Sequence, residues 1–108
     1  RRSAHPPYVA RMLEIAHHPS VSACWNCNAT DLIDGSIVGS FDLLRPWIKS
    51  VHLHDLTDET YPYRIFFQLL HDMNYDRFTL AEIPESSDPD RVLTYYRALW
   101  QAYIDLAG

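Results

Sequence analysis

Hydrophobic residues recur along this chain with two alternating periods, and each change of period marks a new element of secondary structure. Apolar positions every three or four residues over residues 7–17 predict an amphipathic helix. Residues 21–26, 49–55 and 77–83 alternate apolar and polar positions instead, which is the pattern of strands. Helical spacing returns from Pro62, so a second long helix follows the middle strand.

The last helix carries the clearest start signal. Asp88 is suited to the N-cap and Pro89 to the first helical position. The predicted apolar face of this helix comprises Val92, Tyr96, Leu99, Trp100, Tyr103 and Ile104. Residues 27–40 are rich in Asn, Asp, Gly and Ser and predict a long loop, after which residues 41–45 have room for one or two helical turns.

The predicted order is helix, strand, loop with a short helix, strand, helix, strand, helix. Strands that alternate with helices form right-handed βαβ units and a parallel sheet, so the predicted fold class is α/β. Three strands are too few to close a barrel of about eight. If the architecture is a barrel, residues 1–108 are one partial domain, and self-association through its two unpaired sheet edges is expected. We also expect a truncated or processed chain, because the sequence starts without methionine.

Composition and charge narrow the class of protein. With 47% hydrophobic and 21% charged residues, the 108-residue chain has the composition of a globular domain. The net charge is −5, and a single Lys accompanies eight Arg, so no nucleic-acid partner is expected. The sequence has no apolar run of about 18 residues for a membrane span and no signal-peptide pattern at its start. We therefore expect a cytoplasmic protein without a membrane partner.

Cys24 and Cys27 form a C-x-x-C pair, which by itself would suit a redox site or half of a zinc site. A zinc ribbon needs a second pair that the chain lacks, and a redox motif of this type normally opens a helix. The residues that follow the pair predict a loop instead. Ordinary thiols are therefore expected.

The middle strand carries two histidines on one face. Val51 and Leu53 point to one side and His52 and His54 to the other, with Asp55 at the carboxyl end. In parallel α/β structures, ligands bind at the carboxyl ends of the strands. We expect the first side to meet the covering helices and His52 to face the interior of a barrel.

The two other strands end in polar residues that would lie beside His52, Asn26 after the first strand and Glu82 after the third. A polar side chain in a packed interior needs a partner, and a divalent cation is a natural partner for imidazole and carboxylate. These ligands suit Mn²⁺, Zn²⁺ and Co²⁺, and suit Mg²⁺ less well. The alternative is an interior hydrogen bond for His52, and a salt bridge or loop hydrogen bond for Glu82.

The series Val-His-Leu-His-Asp at residues 51–55 follows a proline-containing short helix and precedes a helix, a strand ending in Glu82, and a helix starting at Asp88-Pro89. In order and spacing it resembles the carboxyl-terminal part of the xylose isomerase-like TIM barrels. That superfamily contains sugar and sugar-phosphate isomerases and epimerases together with the endonuclease IV repair enzymes (AP endonuclease family 2). The resemblance implies the last three βα units of a TIM (β/α)8 barrel, which is incomplete in this chain.

The resemblance also implies a metal site. It makes His52, on the seventh barrel strand, and Glu82, on the eighth, ligands of a divalent ion. The sixth strand of such barrels usually ends in a ligating aspartate with a histidine three residues later, whereas this chain has Asn26 and Ala29 there. An amide oxygen brings no charge, so the ion is expected to bind more weakly or not at all. His54 stands where the family often has lysine.

The activity implied by the resemblance is sugar isomerisation or epimerisation by proton transfer next to a carbonyl. Glu82 would ligate the metal and help to move the proton, while the cation stabilises an enediolate. Contacts to the sugar substrate are expected from His54, Asp55 and Arg64, although an exposed arginine at a helix start is the simpler account of Arg64. The 108 residues alone are expected to be inactive or weakly active, because a further glutamate of the family's site belongs to the fourth strand.

Two alternatives stay open. A non-catalytic member of the same fold, its metal lost through Asn26 and Ala29, would bind a small molecule or serve assembly. A repair endonuclease would need several metal ions and a basic DNA-binding face. Two features count against the endonuclease. The chain is acidic, and between the middle and last strands it has no further histidine apart from His71 at a helix end.

Overall fold

The predicted helices and strands all form in the computed structural model, which describes residues 5–18 and 20–108. The four α-helices of these ranges are α1 (Pro6–Ala16), α2 (Val38–Leu44), α3 (Tyr63–Asp72) and α4 (Pro89–Ala107), and the three strands are β1 (Ala23–Trp25), β2 (Ile48–Leu53) and β3 (Thr79–Ala81). Short 3₁₀ turns at Ala29–Asp31 and Arg45–Trp47 flank α2. The predicted cap of the last helix is confirmed, since the Asp88 carboxylate accepts a hydrogen bond from the Arg91 N–H.

The strands form one parallel sheet in the order β1-β2-β3. Trp25 pairs with Val51, and His52 pairs with Leu80. A helix lies between each pair of consecutive strands along the chain, α2 in the first connection and α3 in the second. The α/β class with parallel strands is therefore confirmed.

Helix α2 starts earlier than predicted, at Val38 instead of within residues 41–45. Ile37, Phe41 and Leu44 are buried at spacings of four and three residues, so a helical stripe was present in the sequence. The glycine and serine between them obscured that stripe, because both residues are poorer helix formers. Burial of the stripe outweighed the local preference.

One face of the sheet is packed against helices. Trp25 makes an edge-on contact with Phe41 of α2 at a ring-centroid distance of 5.4 Å and stacks on Phe66 of α3 at 5.8 Å. Val51 and Leu53 on the same face are almost completely buried, as their alternation predicts. Aromatic side chains supply much of this core, since each one removes a large apolar area from water.

Helix α4 packs on α3 and also reaches β3, where the Trp100 indole N–H donates to the Thr79 hydroxyl. Phe67 and Tyr103 stack at a centroid distance of 5.2 Å, and the predicted apolar face of α4 is mostly half-buried, with Ile104 exposed. No helix within the described ranges is long and apolar enough to cross a membrane.

The second face of the sheet carries Cys24, Ser50, His52 and Leu80, and we call it the open face. These side chains are exposed or half-buried, whereas Ala23, Trp25, Val51 and Leu53 on the packed face are buried. Parallel sheets normally have both faces covered. The side chains of the open face are therefore accessible to a ligand or to a further layer of structure.

A polar network ties the loop after β1 to the packed core. The Trp25 indole N–H donates to the Tyr61 hydroxyl at 2.9 Å, and that hydroxyl donates to the Asp31 carboxylate at 2.8 Å. The same carboxylate accepts from the Asn28 N–H at 2.8 Å, and the Ser40 hydroxyl donates to the Asp31 carbonyl at 2.7 Å. Burial raises the pKa of Asp31, and the hydrogen bond from Tyr61 opposes that rise.

Tyr61→Phe removes one hydroxyl that serves two buried partners, the indole N–H and the carboxylate. Each group left without a partner costs about 1–3 kcal/mol, so the free energy of unfolding should fall by a comparable amount. Urea unfolding monitored by tryptophan fluorescence measures it. Tyr95→Phe is the control, because Tyr95 is exposed and its loss of a hydroxyl should change little.

The same variant should show a pH dependence of known sign. Without the Tyr61 hydrogen bond, the folded-state pKa of Asp31 rises further above its unfolded value. An acid with a raised folded-state pKa loses stability as the pH rises through that pKa. The destabilisation by Tyr61→Phe should therefore be larger at about pH 7 than at about pH 3, which lies below the ordinary pKa of an aspartate. Equal destabilisation at both pH values would contradict this account of Asp31.

Candidate functional site

The carboxyl ends of β2 and β3 bring three ionisable side chains together. After the last strand pair, the Glu82 N–H donates to the Leu53 carbonyl at 2.7 Å, which carries the ladder one residue further. Residues 52 and 54 therefore share a face with residue 82 across this edge. The site follows from strand register and needs no long loop to build it.

Glu82 lies between the two imidazoles. Its Oε2 is 3.2 Å from His52 Nδ1, and its Oε1 is 3.9 Å from His54 Nδ1. The main-chain carbonyl of Glu82 is 3.2 Å from His54 Nδ1 as well. The histidine side chains are about one-third exposed, at 33% and 36%, and the glutamate is 64% exposed. Solvent screening leaves such pairs with little effect on stability, so the cluster is better suited to binding than to holding the fold.

Two tyrosines hold the main chain of His54. Its N–H donates to the Tyr63 hydroxyl at 3.2 Å, and its carbonyl accepts from the Tyr96 hydroxyl at 2.8 Å. Burial raises the pKa of Tyr63 to about 12 and also raises that of Tyr96, so both hydroxyls stay protonated near neutral pH. The sequence pattern places Tyr96 only on an apolar helix face and indicates no role for Tyr63. A buried or half-buried tyrosine needs a partner for its hydroxyl, and this was the available signal.

Asn26 lies just beyond β1, and its amide makes contacts with Cys24. The Cys24 thiol is 3.4 Å from Asn26 Oδ1, and Asn26 Nδ2 is 3.5 Å from the Cys24 carbonyl. The Nδ2 distance is long for a hydrogen bond and a thiol is a weak donor, so the amide is held only weakly. Both cysteines are free thiols, Cys24 exposed and Cys27 buried, and burial raises the pKa of Cys27.

The structure gives Asp55 and Arg64 neighbours outside the cluster. Asp55 Oδ1 accepts hydrogen bonds from the N–H of Thr57 at 2.8 Å and from its hydroxyl at 2.6 Å, which closes a turn and lowers the pKa of the carboxyl. Arg64 is exposed in the first turn of α3, along a shallow depression with Thr57 and Asp58. His52, His54 and Glu82 do not line that depression.

His52 Nδ1 and Glu82 Oε2 lie at hydrogen-bond distance, and the same separation would also suit two ligands of one divalent ion. Two ligands about 2.1 Å from one ion and about 90–110° apart lie about 3.0–3.4 Å from each other. The 3.2 Å between His52 Nδ1 and Glu82 Oε2 falls in this interval. Among the residues described, no group of three or more His, Cys, Asp or Glu side chains is arranged to hold a metal ion.

A separate cavity of about 750 Å³ lies beside β3, between α3 and α4. Its lining is mostly apolar and includes Leu70, Leu93 and Phe78, the last of which is 84% exposed. The Trp100 indole N–H donates to the Thr79 hydroxyl at 2.9 Å within this lining. None of the three side chains of the candidate site contributes to it.

Comparison of the chain with family models, with curated proteins and with solved structures found no match.

Proposed function

We propose that this chain forms the carboxyl-terminal three βα units of a xylose isomerase-like (β/α)8 barrel. Its strands neighbour one another in chain order, as in a barrel, whereas doubly wound sheets reverse their strand order at a switch point. Covering helices pack on one face only, and the open face would then line the barrel interior. These two features support the barrel over other parallel α/β folds.

We propose further that the whole barrel is a cytoplasmic, metal-dependent isomerase or epimerase of a sugar or sugar phosphate. The observation that carries this proposal is the cluster of His52, His54 and Glu82 at the carboxyl ends of adjacent parallel strands. In barrel enzymes this end of the strands is where catalytic residues lie. Imidazole and carboxylate together suit Mn²⁺, Zn²⁺ or Co²⁺, and Mg²⁺ less well.

Each residue then has a stated task. His52 and Glu82 would hold the ion, with Asn26 as a neutral third candidate. The ion, when bound, would supply positive charge beside the substrate's carbonyl oxygen. The second carboxylate oxygen of Glu82 would accept a proton from the carbon next to that carbonyl. His54 and, further out, Asp55 would bind hydroxyl groups of the sugar, and Arg64 a hydroxyl or phosphate group.

A non-catalytic binding or assembly role is the second candidate, and the contacts of Asn26 favour it. The amide brings no charge to a metal, and its polar atoms already face Cys24. In that case the open face and the free edges of β1 and β3 would be binding surfaces for a small molecule or a second chain. A DNA-repair role is the weakest of the three, because the chain carries a net charge of −5.

Metal binding by the 108-residue chain tests the site. Binding of Mn²⁺ can be followed by electron paramagnetic resonance of the free ion. We expect the unaltered chain to bind Mn²⁺ at least about tenfold more tightly than the His52→Ala variant does, because the substitution removes a ligand. His71→Ala is the matched control, because His71 is exposed in the last turn of α3 and lies away from the carboxyl ends of the strands. Equal affinity of His52→Ala and His71→Ala would exclude His52 as a ligand and favour the non-catalytic alternative.

A further inference from the structure

When the ring of His54 is neutral, its hydrogen bonds determine which of the two nitrogens carries the proton. Nδ1 is 3.2 Å from the main-chain carbonyl of Glu82 and 3.9 Å from the Oε1 of the same residue. A carbonyl oxygen accepts hydrogen bonds and has no proton to donate, so Nδ1 must be the donor. In a neutral imidazole with a protonated Nδ1, Nε2 is an acceptor with a free lone pair.

The position of this ring is set by main-chain contacts on both sides. Tyr63 of α3 binds the N–H of His54, and Tyr96 of α4 binds its carbonyl, so two helices fix the peptide units that carry the side chain. The carbonyl that accepts the bond from Nδ1–H is that of Glu82, which directly follows β3. The N–H of Glu82 is itself hydrogen-bonded to the carbonyl of Leu53. The main chain that carries the imidazole and the acceptor of its Nδ1–H are therefore both held by backbone contacts.

We infer that His54 is a hydroxyl-recognising residue, which accepts a hydrogen bond at Nε2 from an O–H group of a polyhydroxylated ligand on the open face, and that Tyr96 is its positioning residue. An acceptor at this place selects for a donor on the ligand. A lysine or arginine would instead select for an oxygen acceptor such as a carbonyl or a phosphate. The class of ligand rests on the proposed function, whereas the tautomer of His54 does not.

His18 provides an internal reference of the opposite kind. Its Nδ1 accepts a hydrogen bond from the Ser20 N–H at 3.0 Å, so its proton must lie on Nε2. His54 and His18 are therefore expected to show opposite tautomers in the same spectrum.

The tautomers can be observed directly by long-range ¹H–¹⁵N correlation spectra of the metal-free chain labelled at histidine. At about pH 9, well above the ordinary pKa of imidazole, His54 should show a protonated Nδ1 and an unprotonated Nε2, with His18 showing the reverse. His54→Ala assigns the signal. A predominant Nε2–H form at His54 would overturn the inference. Because no metal is present, this outcome is independent of the Mn²⁺ experiment that tests the proposed function.

Tyr96→Phe tests the positioning role. Loss of one hydrogen bond shifts an equilibrium by up to about tenfold, so His54 should change from the single Nδ1–H form toward a mixture. Tyr95→Phe alters the exposed neighbour and should leave the spectrum unchanged. An unaltered His54 tautomer in Tyr96→Phe would show that Tyr96 does not position the ring. The tautomer in the unaltered chain stands as a test even if this variant fails to fold.

Sorbitol is a suitable probe of hydroxyl recognition. Its addition to the labelled chain should move the Nε2 resonance of His54 and leave the Nε2 resonance of His18 in place. The reason is that Nε2 of His54 has a free lone pair, whereas Nε2 of His18 carries a proton. A His54 Nε2 signal that does not move with sorbitol, or that moves together with His18, would overturn the assignment of His54 as a hydroxyl acceptor.

Discussion

Trp25 is the side chain on which the two covering helices meet. Phe41 of α2 and Phe66 of α3 pack against the same indole ring, and the indole N–H is satisfied by Tyr61. This contact commits one face of β1 to the core, and Val51 follows because it pairs with Trp25 in the sheet. Since side chains alternate along a strand, the histidines of β2 are then directed to the other face.

The candidate site is a consequence of that one-sided burial. His52 and His54 emerge on the open face, and the register of β2 with β3 places Glu82 between them. The tyrosines that hold His54 come from α3 and α4, elements that otherwise serve the core. Packing on one side of the sheet therefore also fixes the main chain that carries chemistry on the other side.

The open face, the free sheet edges and the apolar cavity beside β3 have one physical feature in common. Each is surface that a complete parallel α/β fold would cover, because parallel strands are normally buried on both faces and paired at both edges. The exposed ring of Phe78 and the half-exposed Leu80 lie in this region. A barrel of which this chain supplies three units accounts for all three surfaces together, and this supports the proposed architecture.

The order of the elements, the parallel α/β class and the opposite faces of Val51 and His52 were determined by the sequence alone, because they depend on the local period of apolar residues and on capping signals such as Asp88-Pro89. Strand lengths and the start of α2 were less accessible, since burial of Ile37 and Phe41 outweighed weak local propensities. Only the tertiary structure decided which predicted site residues meet. Register brings Glu82 to both histidines, whereas the carboxylate of Asp55 is hydrogen-bonded to Thr57. The contacts of His54 with Tyr63 and Tyr96 join residues that are 9 and 42 positions apart in the chain. Contacts at such separations depend on how helices pack, which no local pattern of residues specifies.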